Sequence, residues 1–114
     1  MKQRQEVCSL WILRARRYIE NRFREKLSLS VIAATAGVHP AHLARTFHEA
    51  FGITIGDYIR SLRIEAAIQE LKCHKKPVVE IALDTGFYDQ SHFHHVFKKY
   101  TGLTPVECSR LRNI

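Results

Sequence analysis

The sequence predicts an all-α fold: two helix-turn-helix subdomains joined by a long central helix, about seven helices in all. Three observations carry this. Apolar residues recur at helical spacing along the chain, and nothing reads as a strand. One pattern occurs twice: Ile32-Ala33, Gly37, Leu43, Phe47 and Gly52 match Ile81-Ala82, Gly86, Phe93, Phe97 and Gly102. The offset is 49 up to the glycine and 50 after it, so the second turn holds one extra residue. Between the copies, residues 54–72 form a single periodic stretch.

Taken in order, residues 1–8 are polar and are expected to fray. From Leu10 to about Lys26, Ile12, Ala15, Ile19 and Phe23 repeat with helical period, with Trp11 and Tyr18 beside them. Ser28 can cap a short helix from Leu29 to about Thr35, and Gly37 turns the chain. Pro40 suits the first position of the next helix, where its missing N–H costs nothing. That helix should run to about Phe51. It should bury Leu43, Thr46, Phe47 and Ala50 and present Ala41, Ala44, Arg45 and His48, with His42 at the edge.

Thr54 and Asp57 match a capping box for a helix to about Lys72. Ile55, Tyr58, Ile59, Leu62 and Ala66 share one of its faces, whereas Ile64, Ala67, Ile68 and Leu71 share nearly the opposite one. Such a helix must be covered from two directions, its first half by the first unit and its second half by the second. Residues 73–77 read as a short linker, and Pro77 opens a helix to about Asp84. Ala82 is small enough for the following helix to cross close by, and Gly86 can adopt the left-handed turn conformation. Asp89 caps the helix that ends near Tyr100. Phe93, Val96, Phe97 and Tyr100 make its apolar face; Ser91, His94, His95 and Lys98, with Gln90 at the edge, make the polar one. Gly102 stops it, and Thr104-Pro105-Val106-Glu107 opens a last helix to about Leu111. The layout is one domain, 1–114, with a first lobe at 9–53, a joining helix at 54–72 and a second lobe at 73–114.

Composition narrows the partner. The chain has 114 residues, a net charge of +7 and an isoelectric point near 9.7. An acidic partner follows, nucleic acid before anionic membrane. No apolar run approaches the ~20 residues of a membrane span, and Met1-Lys2-Gln3-Arg4 opens no secretory signal, so the expected location is cytoplasmic, on the nucleoid. Three distant cysteines, Cys8, Cys73 and Cys108, fit reduced thiols better than a disulfide framework. Residues 1–26 hold eight Lys/Arg against three Glu. That charge serves either phosphate attraction or a solvated helix face.

The repeated spacing resembles the DNA-binding domain of the AraC/XylS family of bacterial transcription regulators. Leu27-Ser28, Ile32-Ala33, Gly37, Leu43, Arg45, Phe47 and Gly52 carry the likeness in the first unit. In the second it rests on Ile81-Ala82, Gly86-Phe87, Ser91, Phe93, Phe97-Lys98, Gly102, Thr104-Pro105 and Arg110. Cys108 and Ser109 replace the family's aromatic and Arg, which weakens the expected packing of the last helix, and His39 replaces a favoured capping Ser. The resemblance implies transcription regulation, often activation through RNA polymerase. Family members commonly carry a separate effector-binding or dimerisation domain, and none is expected within these 114 residues. The expectation is a stand-alone regulator or the C-terminal piece of a longer one, with no small-molecule effector bound by this chain.

The second helix of a helix-turn-helix enters the major groove of double-stranded DNA, and two such helices on one chain should read an asymmetric site with boxes ~10 base pairs apart. The base-reading candidates are Ala41, His42, Ala44 and Arg45 in the first unit and Gln90, Ser91, His94 and His95 in the second. Arg45 can hold a guanine through O6 and N7, or else a phosphate or a neighbouring carboxylate. Gln90 can pair with adenine, the alanines can only touch thymine methyls, and His94 and His95 serve bases or phosphates. Specificity should therefore lean on the second unit, Arg45 excepted. The phosphate candidates are Ser28, His39, His48, Lys98 and Lys99.

The sequence bears on two other classes. His92, His95 and the pair Cys73-His74 raise a metal-sensing or protein-interaction module, but no cysteine pair has zinc spacing and no carboxylate completes a set. No catalytic constellation or phosphate-binding glycine loop is present, so neither an enzyme nor a cofactor is expected.

Overall fold

α1 spans Lys2–Arg22 in the computed structural model, which describes residues 2–73 and 75–111, with side chains from Leu10 onward. The helix starts well before Leu10, correcting the expectation of a frayed N-terminus. Residues 2–9 contain neither Gly nor Pro, and Lys, Arg, Gln and Glu propagate a helix well. It also ends earlier than Lys26: the Glu25 N–H donates to the Arg22 carbonyl at 2.9 Å, closing a turn that leaves Phe23 half-buried beyond the end. Ile12, Ala15 and Ile19 form the buried stripe of α1.

α2 (Leu29–Ala36) starts where the Ser28 hydroxyl accepts the Val31 N–H at 3.2 Å. It stops at Gly37, whose φ of 71° is open only to a residue without Cβ strain. α3 (Pro40–Phe51) has the predicted bounds, set by Pro40 at its first position and by Gly52 at its end. It packs on α1 and α2 through Leu43, Thr46 and Phe47. Ala50 is exposed, against expectation. Phe51 instead turns its ring edge-on to Phe47, with centroids 4.7 Å apart, and covers the end of the stripe.

α4 (Ile55–Cys73) is one helix, opened where Thr54 Oγ1 accepts the Asp57 N–H at 3.1 Å. The chain divides into two units inside it, one running up to Ile59 and the other from Arg60 onward. In the first unit Ile55 and Ile59 are buried and Tyr58 lies against Phe47. A polar cluster joins α1, α3 and α4 there. Arg16 Nε donates to the Glu20 carboxylate at 3.1 Å and to the Tyr58 hydroxyl at 3.3 Å. Tyr58 donates to Glu20, and the Arg16 guanidinium lies 4.8 Å from the Phe51 ring centre. The Tyr58 hydroxyl first, then Arg16, hold the Glu20 carboxyl below its ordinary 4.5.

In the second unit Ile64, Ala67 and Leu71 of α4 enter a core with Ile81 and Ala82 of α5 (Val78–Asp84), Phe87, and Phe93, Val96 and Phe97 of α6 (Gln90–Thr101). Lys76 ties the short linker to Asp84 at 2.8 Å and to Glu70 at 3.6 Å. Thr85 is fully buried, and its hydroxyl donates to the Ile81 carbonyl at 2.7 Å, so it adds no unsatisfied polar group to the core. α7 (Pro105–Arg110) has both halves of its capping box: Glu107 N–H to Thr104 Oγ1 at 3.1 Å and Thr104 N–H to Glu107 Oε1 at 2.8 Å. Cys108, where an aromatic was expected, packs into the core at 2 % exposure, and burial pushes its thiol pKa up. Cys73 is exposed, while the Cys8 side chain and His74 lie outside the described residues. Among the described residues every regular element is a helix, and none is long and apolar enough to cross a membrane.

Two stability predictions follow from these cores. Phe97→Ala removes a fully buried ring and should destabilise the second unit by ~3–5 kcal/mol in urea unfolding followed by circular dichroism. Glu20 has a depressed folded pKa, so its contribution is present above 4.5 and lost as pH falls through the folded value. Glu20→Gln should therefore flatten the acid limb of the stability–pH curve measured by the same unfolding.

Candidate nucleic-acid interface

The two turns are built by the same hydrogen bonds. The Gly37 and Val38 N–H groups donate to the Ala34 and Ala33 carbonyls at 3.2 and 3.1 Å. The Gly86 and Phe87 N–H groups donate to the Leu83 and Ala82 carbonyls at 3.2 and 3.0 Å. Both closures match at an offset of 49, whereas the capping residues His39 and Asp89 match at 50. The extra residue is therefore Tyr88, which is 79 % exposed. Buried Ala33 and Ala82 give each second helix room to approach its partner's backbone.

Each second helix starts on a side-chain cap. Asp89 Oδ1 accepts the His92 N–H at 2.7 Å. His39, unusual at this position, serves through Nδ1, which accepts the Ala41 N–H at 3.1 Å. An imidazole accepting at Nδ1 carries its proton on Nε2, so the His39 ring still has a donor to offer beyond the cap. Ser28, capping through its lone pair, likewise keeps its O–H for donation.

On α6, Phe93, Val96 and Phe97 are buried, and Gln90, Ser91, His94, His95, Lys98 and Lys99 are all exposed. These six line one open concavity in the second unit. Amide, hydroxyl and imidazole groups at the helix's start and ammonium groups at its end suit base edges and phosphates respectively. On α3, Ala41, Arg45 and His48 are exposed and Ala44 is half-buried. His42 is exposed but not isolated: its ring lies 5.3 Å from that of Trp11 on α1. His92 packs its ring on Phe87 and accepts the Tyr88 N–H at 3.4 Å through Nδ1. Among the described residues no three His, Cys, Asp or Glu side chains group as metal ligands. Sequence reasoning placed one extra residue in the second turn without identifying it as Tyr88, and it missed the Trp11–His42 contact. The hydrogen bonds of the turn identify the first; nothing local in the sequence signals the second.

A family model described as a helix-turn-helix domain matches residues 32–110. The regulatory protein SoxS of Escherichia coli K12 is 33% identical over 90 residues, spanning 79% of this chain and 84% of SoxS. The chain belongs to the AraC/XylS family. Another relative, the bifunctional transcriptional activator/DNA repair enzyme AdaA of Bacillus subtilis, is 37% identical over 98 residues. That match spans 86% of this chain but only 46% of AdaA, so the chain corresponds to about half the length of that relative. Among solved structures, the C-terminal domain of AraT, a response regulator from Geobacillus stearothermophilus, superposes with a TM-score of 0.87 at 32% identity, covering 92% of this chain and 88% of that one. In this AraC/XylS domain the integrity of α6 depends on its cap. Asp89→Ala should cost ~1 kcal/mol in thermal unfolding, while Asp89→Asn, which can still accept the His92 N–H, should cost much less.

Proposed function

We propose that this chain is the DNA-reading part of a transcription activator. In this view α3 and α6 each enter a major groove of an asymmetric double-stranded site. Residues 9–53 and 73–114 act as the two reading lobes, joined by 54–72. The observation that carries the proposal is the exposed row Gln90, Ser91, His94, His95, Lys98 and Lys99, set on a helix whose other face is locked by buried aromatic rings. A reader must present hydrogen-bonding groups on a rigid support, because base discrimination depends on bidentate geometry. The chain's +7 charge supplies the sequence-independent attraction that brings it to DNA.

Family membership supports regulation of transcription, and AdaA, named an activator, supports activation. Contact with RNA polymerase, a cytoplasmic location on the nucleoid and the absence of catalysis belong to the same proposal. AdaA's repair activity is not carried over, since no catalytic constellation was found in the sequence. Arg45, exposed on α3, is assigned a base, and Gln90 and Ser91 with His94 and His95 are assigned the second box. Ser28, His39, His48, Lys98 and Lys99 are assigned phosphates. Ala41 and Ala44 leave room for thymine methyls.

Selection of sites from random duplex DNA tests the proposal. An asymmetric site with two boxes is the expected outcome, and the absence of any enriched sequence would reject it. On the selected site Arg45→Ala should lose ~1–3 kcal/mol and relax one base position. A uniform loss on all sequences would instead make Arg45 a phosphate contact.

A further inference from the structure

One contact in the first unit carries the DNA-facing surface beyond the two reading helices; it rests on α3 being a groove-entering helix. Trp11 on α1 packs its indole against the imidazole of His42, with centroids 5.3 Å apart and planes 34° from parallel. His42 is the third residue of α3. In a helix-turn-helix the N-terminal residues of the second helix meet the base edges, and the backbone phosphates flank them. The Trp11 contact therefore fixes this level of α1 beside the end of α3 that approaches DNA.

The described basic side chains of α1 differ in what holds them. Arg16 is engaged within the unit by Glu20, Tyr58 and Phe51. Arg22 lies over the Tyr18 ring and reaches Glu25. Arg14 stands three residues after Trp11, a spacing that makes the two side chains neighbours on the helix surface, and it is exposed. Arg17 is also exposed, but six positions from Trp11 put it about 120° round the helix from that ring, pointing away from the buried stripe of Ile12, Ala15 and Ile19. We infer that Arg14 grips a DNA phosphate flanking the bases read by α3, and that the Trp11–His42 contact positions it. α1 is thereby a DNA-contacting element as well as a support.

The test is salt-dependent binding of the selected duplex and of an unrelated duplex by the wild-type chain, Arg14→Ala and Arg17→Ala. A phosphate contact contributes about −0.9 to the slope of log affinity against log salt, equivalent to about fivefold in affinity at ~0.15 M salt. Arg14→Ala should lose this factor on both duplexes and reduce the slope by about one, and Arg17→Ala should do neither. Trp11, the single tryptophan, supplies a second readout: its emission should change on binding either duplex. The inference is overturned if Arg14→Ala binds like the wild type, or if both arginine variants lose equally, which would mark diffuse charge. If the wild-type chain itself binds no duplex, the DNA-reading function fails and takes this contact with it.

Discussion

The close crossing of two helices at an alanine is the constraint on which each unit depends. Ala33 and Ala82 are buried, and any larger side chain there would hold α3 or α6 away from its partner. A close crossing needs a short turn, and a short turn needs a residue with positive φ, which Gly37 and Gly86 provide. Once the crossing is set, Leu43 and Phe47, or Phe93 and Phe97, can fill one core completely. The opposite face of each second helix is then presented at a fixed angle with no further determinant.

The same frame carries different chemistry in the two units. α6 offers amide, hydroxyl, imidazole and ammonium groups in one exposed row. α3 offers one guanidinium, two imidazoles, of which His42 leans on Trp11, and two alanines. Their caps differ too, a carboxylate at Asp89 and an imidazole at His39, yet both satisfy an early helical N–H. Capping at this position thus requires only an acceptor at the right reach, whatever group bears it.

Much of this was legible in the sequence because its signals are local. Pro40 and Gly52, or Asp89 and Gly102, mark helix ends within a few residues of the event. Helical period alone gave the exposure of the α6 row, and on α3 it gave that of Ala41, Arg45 and His48 but not of half-buried Ala44. The failures also have physical causes. Residues 2–9 contain no stop signal, so nothing in them defined where α1 begins. Ala50 fits the buried stripe by spacing, but its burial depended on where Phe51 turned. Arg16 and Glu20 are one turn apart and readable as a pair, whereas Tyr58, which completes the cluster, is 38 residues from Glu20. The Trp11–His42 stack is of the same tertiary kind.

Tyr88 shows how such a frame tolerates change. The glycine closure of the second unit ends at Phe87 and the next cap begins at Asp89, so the residue between them belongs to neither. In the first unit Val38 and His39 are adjacent and no such residue exists. Turn length is thus a loose coordinate of the repeat: the two units differ by one position there, and the hydrogen bonds on either side are the same in kind. The mouth of the turn can therefore carry an exposed side chain such as Tyr88 while the buried packing beneath it keeps its form.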